Sequence, residues 1–270
     1  MNELSFYSGL LIFCVGMAVG SFVNVLTHRL PLMVLADPEV LHSSTFDLSH
    51  PSSHCPQCQV SLRPWHNIPI LSYLCLRGRC AFCAHPIGWH YPATEFVTGL
   101  LWLACAWRWG VGANAMCWAW FATSLLALSV IDWKTTLLPD ALTQTLLWAG
   151  LSASALQWVE LPVEQSVFGS VAGYVSLWSV AYIFERVTHK EGMGAGDFKL
   201  LAALGAWLGP IALIPLVLLA STAGVIFGLV LRKKGRLQSE GYMPFGPFLA
   251  ASGCLIAYLG TDQVMRGFFG

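Results

Sequence analysis

Apolar residues run in long, nearly charge-free blocks along this chain, separated by short polar segments. The first block, Phe6 to Leu26, has 21 residues without a charge, and a bilayer crossing needs roughly 20. Phe96 to Ile131 has 36 residues and one charge, Arg108. It is too long for one crossing, and Gly110, Gly112 and Asn114 supply a turn, so it predicts two helices. Ala141–Val159 and Ser166–Phe184 each predict one span. Phe198–Leu231 predicts two shorter crossings broken near Gly209-Pro210, and Phe245–Gly260 predicts the last. The pattern therefore reads as an all-α polytopic membrane protein with about eight transmembrane helices.

Residues 30–92 break the pattern. They are rich in Pro, His, Ser and Cys and form an insert between the first two helices. The expected organisation is a first transmembrane helix over 1–29, the insert over 30–92 and a main transmembrane domain over 93–270. At about 60 residues the insert is small for an independent hydrophobic core and requires a staple.

Composition agrees with the pattern. Apolar residues make up 56% of the 270 and charged residues 10%, against about 25% charged in soluble domains. Net charge is zero, so nothing points to a nucleic-acid partner, and membrane lipid is the expected surrounding. A cleavable signal peptide is not expected, because Glu3 rather than Lys or Arg flanks the first apolar run. With the N-terminus outside, 12 of the 14 basic residues fall on the inner side, all but Arg108 and Arg266. The positive-inside rule thus sets the direction and supports an even number of crossings between the basic loops.

Nine cysteines are present. Five of them (Cys14, Cys75, Cys105, Cys117 and Cys254) have no pairing pattern. The others form Cys55-Pro-Gln-Cys58 and Cys80-Ala-Phe-Cys83, two Cys-x2-Cys knuckles separated by 21 residues. Four soft thiolates suit a tetrahedral Zn²⁺ with no open position, hence a structural ion. Two disulfides are the competing reading, disfavoured on the reducing inner side; redox chemistry is another. His54, His66, His85 and His90 lie nearby but are surplus to a complete four-thiolate shell.

Carboxylates at a membrane boundary are costly and suspect. Asp132 closes the run ending at Ile131. Asp197 closes Gly192-Met-Gly-Ala-Gly-Asp197. The topology puts both at inner helix ends, at one depth, where they can face each other. Two carboxylates sharing a proton form the aspartic-protease device. Pairing of Asp132 with Lys134 and N-capping by Asp197 are the structural alternatives. Asp140, after Leu138-Pro139, reads as a helix N-cap.

These residues resemble those of the bacterial type IV prepilin leader peptidases, which also serve type II secretion. The resemblance covers nearly the whole chain. It includes Gly20-Ser-Phe-Val-Asn24, His28-Arg-Leu-Pro31, both Cys knuckles, Trp65-His-Asn67-Ile-Pro69 and Tyr91-Pro-Ala-Thr-Glu95. It continues through Asp132, Leu138-Pro-Asp140-Ala-Leu-Thr143, Glu191-Gly-Met-Gly-Ala-Gly-Asp197-Phe-Lys-Leu-Leu and Pro244-Phe-Gly-Pro247. The GxGD element alone is shared with other intramembrane aspartic proteases; its combination with paired Cys knuckles is far more specific. The resemblance implies that Asp132 and Asp197 are catalytic at the cytoplasmic face of the inner membrane. The substrates it implies are prepilins or pseudopilins, cleaved after a Gly that follows a basic leader. It further implies N-methylation of the new N-terminus from S-adenosylmethionine. Ala195, Val23 and Trp89-His90 depart from the family pattern, the last pair bearing on methylation. No Rossmann fingerprint marks a methyl-donor pocket. Asn24, Arg29 and Glu95 are the candidates for a methylation or cofactor-binding site, with ordinary anchoring as the competing role for each. Other readings are a peptidase without methyl transfer, a zinc-anchored scaffold, or a carboxylate-lined transporter. The last calls for ionisable groups at mid-depth, which this chain lacks.

Overall fold

The computed structural model describes residues 4–36, 46–189, 192–234 and 243–269. Lys190, Glu191 and Arg236, part of the expected inner basic loops and of the Gly-rich motif, lie outside the described residues. Regular structure among the described residues is helical, including a 3-10 turn at Pro64–Asn67, with no strands and two isolated bridges in the insert. In chain order the helices are α1 Phe6–Leu35, α2 Leu71–Cys75, α3 His90–Trp109, α4 Ala113–Thr135 and α5 Asp140–Ala155. They continue with α6 Val163–Thr188, α7 Ala195–Leu208, α8 Leu213–Lys233, α9 Gly246–Leu259 and α10 Thr261–Phe269.

Each apolar block becomes a helix, and the breaks fall where glycine allows them. Gly110 ends α3 at φ 79° and Gly209 ends α7 at φ 79°, backbone angles that residues with a Cβ avoid. Two boundaries differ from the sequence reading. α1 continues through Pro31 to Leu35, so the helix reaches past residue 29 into the expected insert. α5 ends at Ala155 rather than near Val159, because Gln157 turns at φ 57° and the Ser154 hydroxyl donates to the Leu161 carbonyl at 2.6 Å.

Among the described residues four helices, α1, α4, α6 and α8, are long and apolar enough to cross a membrane; α9 and α10, bent by 106°, make a fifth if taken as one span. α7 has 14 residues, about 21 Å of helix at 1.5 Å per residue, short of a hydrocarbon core of about 30 Å. Large apolar side chains stand exposed on these helices, including Leu10, Leu11 and Phe22 of α1 and Val180, Ile183 and Val187 of α6. Such surfaces belong in lipid.

The chain divides into two compact units, residues 1–123 and 124–270, with the boundary inside α4. In the first unit α1 packs on α3. Gly16 and Gly20 face α3 so closely that a Cβ on Gly20 would lie 2.7 Å from Glu95 Cα. Small residues four apart let membrane helices approach in this way. In the second unit α7 is the core. Leu200, Leu201, Ala203, Leu204 and Ala206 are fully buried, with α5 and α6 packed against it. An all-round apolar helix is stable when protein surrounds it. Gly169 of α6 meets the Gly205 backbone directly. The Trp207 indole N–H donates to the Leu146 carbonyl at 2.8 Å.

Candidate active site and thiol cluster

α4 ends three residues past Asp132, whose carbonyl accepts the Thr136 N–H at 2.8 Å as the chain turns at Thr136, φ 53°. The Asp132 side chain is 4% exposed. It does not pair with Lys134. Instead its Oδ2 accepts the Gly246 backbone N–H at 2.9 Å. Gly246 opens α9, and the N–H groups of a first helical turn have no intrahelical partner, so a carboxylate satisfies one.

α7 begins after Gly194, its N-cap, which has no side-chain cap bond. Asp197 lies inside the first turn, not at the cap, so the capping alternative does not hold. A carboxylate there is favoured by the helix dipole. Asp197 is 8% exposed, and its Oδ1 is buried with no hydrogen-bond partner among the described residues.

Asp132 and Asp197 line one cleft of about 190 Å³, together with Leu138, Gly194, Gly196 and Phe245. Their carboxylates border the same space. Two glycines let the elements around the cleft pack closely. A Cβ on Gly246 would lie 2.6 Å from Asp132 Oδ2, and one on Gly196 would lie 2.7 Å from Leu138 Cβ. Leu138 also reaches Gly246, since that same Cβ would be 3.2 Å from Leu138 Cδ2. Leu138 thus wedges between the first turns of α7, which carries Asp197, and α9, which bonds Asp132. Neither the Gly246 donor nor the Leu138 wedge was expected from the sequence; a Gly-Pro pair opening an apolar run is a helix-start signal, silent about which carboxylate it serves.

Asp140 departs from its expected role. The N-cap of α5 is Pro139, without a side-chain cap bond. Asp140 is the first helical residue, and its carboxylate binds Lys199 Nζ through both oxygens, at 2.6 and 2.7 Å.

In the first unit, Cys55, Cys58, Cys80 and Cys83 come together, their sulfurs all within 4.8 Å of one another. The two knuckles are copies of one turn. Gln59 N–H donates to the Cys55 carbonyl at 2.9 Å and Ala84 N–H to the Cys80 carbonyl at 3.0 Å. The residue after each second Cys takes a left-handed φ, 59° at Gln59 and 56° at Ala84. Backbone N–H groups of Cys58 and Gln57 aim at the Cys55 sulfur and, against the effect of burial, pull that thiol from 9.0 to about 6. Tetrahedral zinc with Zn–S of about 2.3 Å needs sulfurs about 3.8 Å apart, and Cys55 Sγ lies 3.7 Å from Cys83 Sγ. The cluster therefore fits a metal ion. No disulfide links these cysteines, and no His belongs to the group. Among described residues 46–89 only Cys55 and Cys80 are buried, so the insert has no apolar core to replace a staple.

Asn24, Arg29 and Glu95 are all buried, and each holds backbone of its own unit. Asn24 Nδ2 donates to the Tyr91 carbonyl at 3.1 Å. Arg29 donates to the carbonyls of Asp47, at 3.0 Å, and Pro51. Glu95 Oε2 accepts the N–H of Ile70 at 2.8 Å, where the chain turns at φ 57°. Two of the three, Arg29 and Glu95, tie the insert to α1 and α3.

Comparison with known proteins agrees with this division. The bacterial peptidase A24 N-terminal domain matches residues 14–109, and the type IV leader peptidase family matches residues 119–229. A prepilin leader peptidase/N-methyltransferase from Burkholderia pseudomallei is 42% identical over 261 residues, covering 91% of this chain and 84% of that protein. Proteins of the same name from Pseudomonas aeruginosa and Neisseria gonorrhoeae are 44% and 41% identical, each covering 93% of this chain and 90% of the relative. No solved structure matches the chain. The chain belongs to the type IV leader peptidase family.

Proposed function

We infer that this protein removes the leader peptide from prepilins, or pseudopilins of type II secretion, by aspartic-protease chemistry, and N-methylates the new N-terminus. The observation that carries the protease reading is the shared cleft of Asp132 and Asp197. One carboxylate, deprotonated, takes a proton from water as the water oxygen attacks the scissile carbonyl. The other, protonated, donates to the carbonyl oxygen. The tetrahedral intermediate collapses when the leaving nitrogen receives a proton and the C–N bond breaks. Asp132, which already accepts an N–H bond, suits the charged role; Asp197, whose buried Oδ1 has no donor among the described residues, suits the donor role. Peptide backbone can approach beside Gly194, which lines the cleft.

Positive-inside placement supports an outer N-terminus and eight crossings of the bacterial inner membrane. The short α5, α7 and α9 then cross sheltered by protein rather than by their own length. On this topology the cleft opens at the cytoplasmic face, where a basic leader emerges from the membrane. The thiol cluster holds a structural Zn²⁺, supported by its spacing and its lack of a core.

Methyl transfer rests on the names of the relatives. S-adenosylmethionine supplies the methyl group when bound. Arg29 and Glu95 fit anchoring of the insert better than donor binding, and Asn24 fits holding α1 to the start of α3 through the Tyr91 carbonyl.

Separate Asp132→Asn and Asp197→Asn variants test the dyad with prepilin cleavage as readout. Each should abolish cleavage while the protein stays folded. Near-normal cleavage by either folded variant overturns the reading. Mass analysis of the mature N-terminus in the presence of S-adenosylmethionine tests methylation separately; cleavage without gain of a methyl group removes that half.

A further inference from the structure

We propose that Asp140 and Lys199 are a positioning pair that sets the two cleft aspartates relative to each other. The proposal rests on the aspartic-dyad reading above.

Lys199 lies two residues after Asp197 on α7. Residues two apart on a helix point to different sides, and Lys199 does not line the cleft. Its Nζ instead grips both oxygens of Asp140, at 2.6 and 2.7 Å. Asp140 directly follows the 136–139 loop, which begins where α4 ends beyond Asp132. The pair therefore closes a short ring. It runs from Asp132 through the end of α4, along the loop to Asp140, across the ion pair to Lys199, and back up α7 to Asp197. Leu138, inside that ring, packs against Gly196 and reaches Gly246. Any slack between α5 and α7 would move the wedge and, with it, the carboxylates.

The pair is suited to holding rather than to stabilising. Asp140 is 63% and Lys199 27% exposed at the side chain, and exposed ion pairs contribute little to stability. Its chelated geometry instead fixes direction, which catalysis rewards: misplacement by about 1 Å costs about 100-fold in rate. A merely structural pair and a positioning pair thus differ in what they move, the unfolding midpoint or kcat.

The test uses the full chain purified in detergent, with a prepilin as substrate. Lys199→Met and Asp140→Asn should each lower kcat at least about tenfold, with KM within about twofold and the unfolding midpoint unchanged. The Asp140→Asn, Lys199→Met double variant should be no slower than the slower single, as expected for two groups acting as one unit. Exchange of the charges, Asp140→Lys with Lys199→Asp, should cleave faster than either single. Wild-type kcat in either single variant, or additive losses in the double, overturns the proposal. The double-mutant cycle remains decisive if the exchanged pair does not fold. Activity retained in Asp132→Asn sinks the dyad itself, whereas loss there with wild-type rates in Lys199→Met sinks only the positioning role.

Discussion

The Gly246 N–H donates to Asp132 Oδ2 at 2.9 Å, so the amino terminus of α9 points at a carboxylate on the end of α4. Only glycine permits this approach, because a Cβ at that position would lie 2.6 Å from the same oxygen. Gly246→Ala should therefore displace Asp132 and lower cleavage by roughly 100-fold. Steady-state kinetics on prepilin is the check; wild-type turnover would show that the contact is dispensable.

At the α6–α7 seam, Gly169 and Gly205 meet backbone to backbone. A Cβ on Gly169 would fall on the Gly205 carbonyl, a contact no rotamer change can relieve. Gly169→Ala should destabilise the second unit by about 1–3 kcal/mol, the range for overpacking, read as a lower unfolding midpoint in detergent. An unchanged midpoint would mean that α6 moves away at no cost.

Metal removal should act on the insert first. With only Cys55 and Cys80 buried among residues 46–89, metal binding and local folding are coupled. Cys58→Ser, or a strong chelator, should lower bound zinc and speed proteolysis within the insert. Unchanged zinc content by metal analysis would rule out the four-thiolate site.

Arg29 holds the insert through the Asp47 and Pro51 carbonyls, a fork that Lys reproduces poorly. Arg29→Met leaves those contacts unmade and should increase protease nicking between residues 46 and 89. Zinc content should stay the same, which separates loss of docking from loss of the staple. Nicking at the wild-type rate would show that the insert holds its place without this side chain.

How far the sequence was legible depends on the range of the interactions. The breaks at Gly110 and Gly209 were readable because a positive φ is a local demand on one residue. The paired knuckles were readable because a repeated turn spaces its sulfurs locally. Asp140 was misread for the converse reason: its local context says N-cap, while its partner Lys199 is 59 positions away. The end of α1 was also missed, because residues such as Arg29 look like a polar boundary until Asp47 and Pro51 are seen to bury and bind it.

By itself the sequence determined the membrane class, the long apolar helices, the thiol quartet and the two aspartates as suspects. Composition, run length and residue spacing carry that information, and all three are properties of the chain taken locally. Tertiary structure alone decided that Asp132 and Asp197 share a cleft, that α9 supplies Asp132 with a donor, and that Leu138 wedges between Gly196 and Gly246. Those relationships are steric contacts between helices far apart in sequence. They exist only where glycines let the backbones close to within a side chain's width.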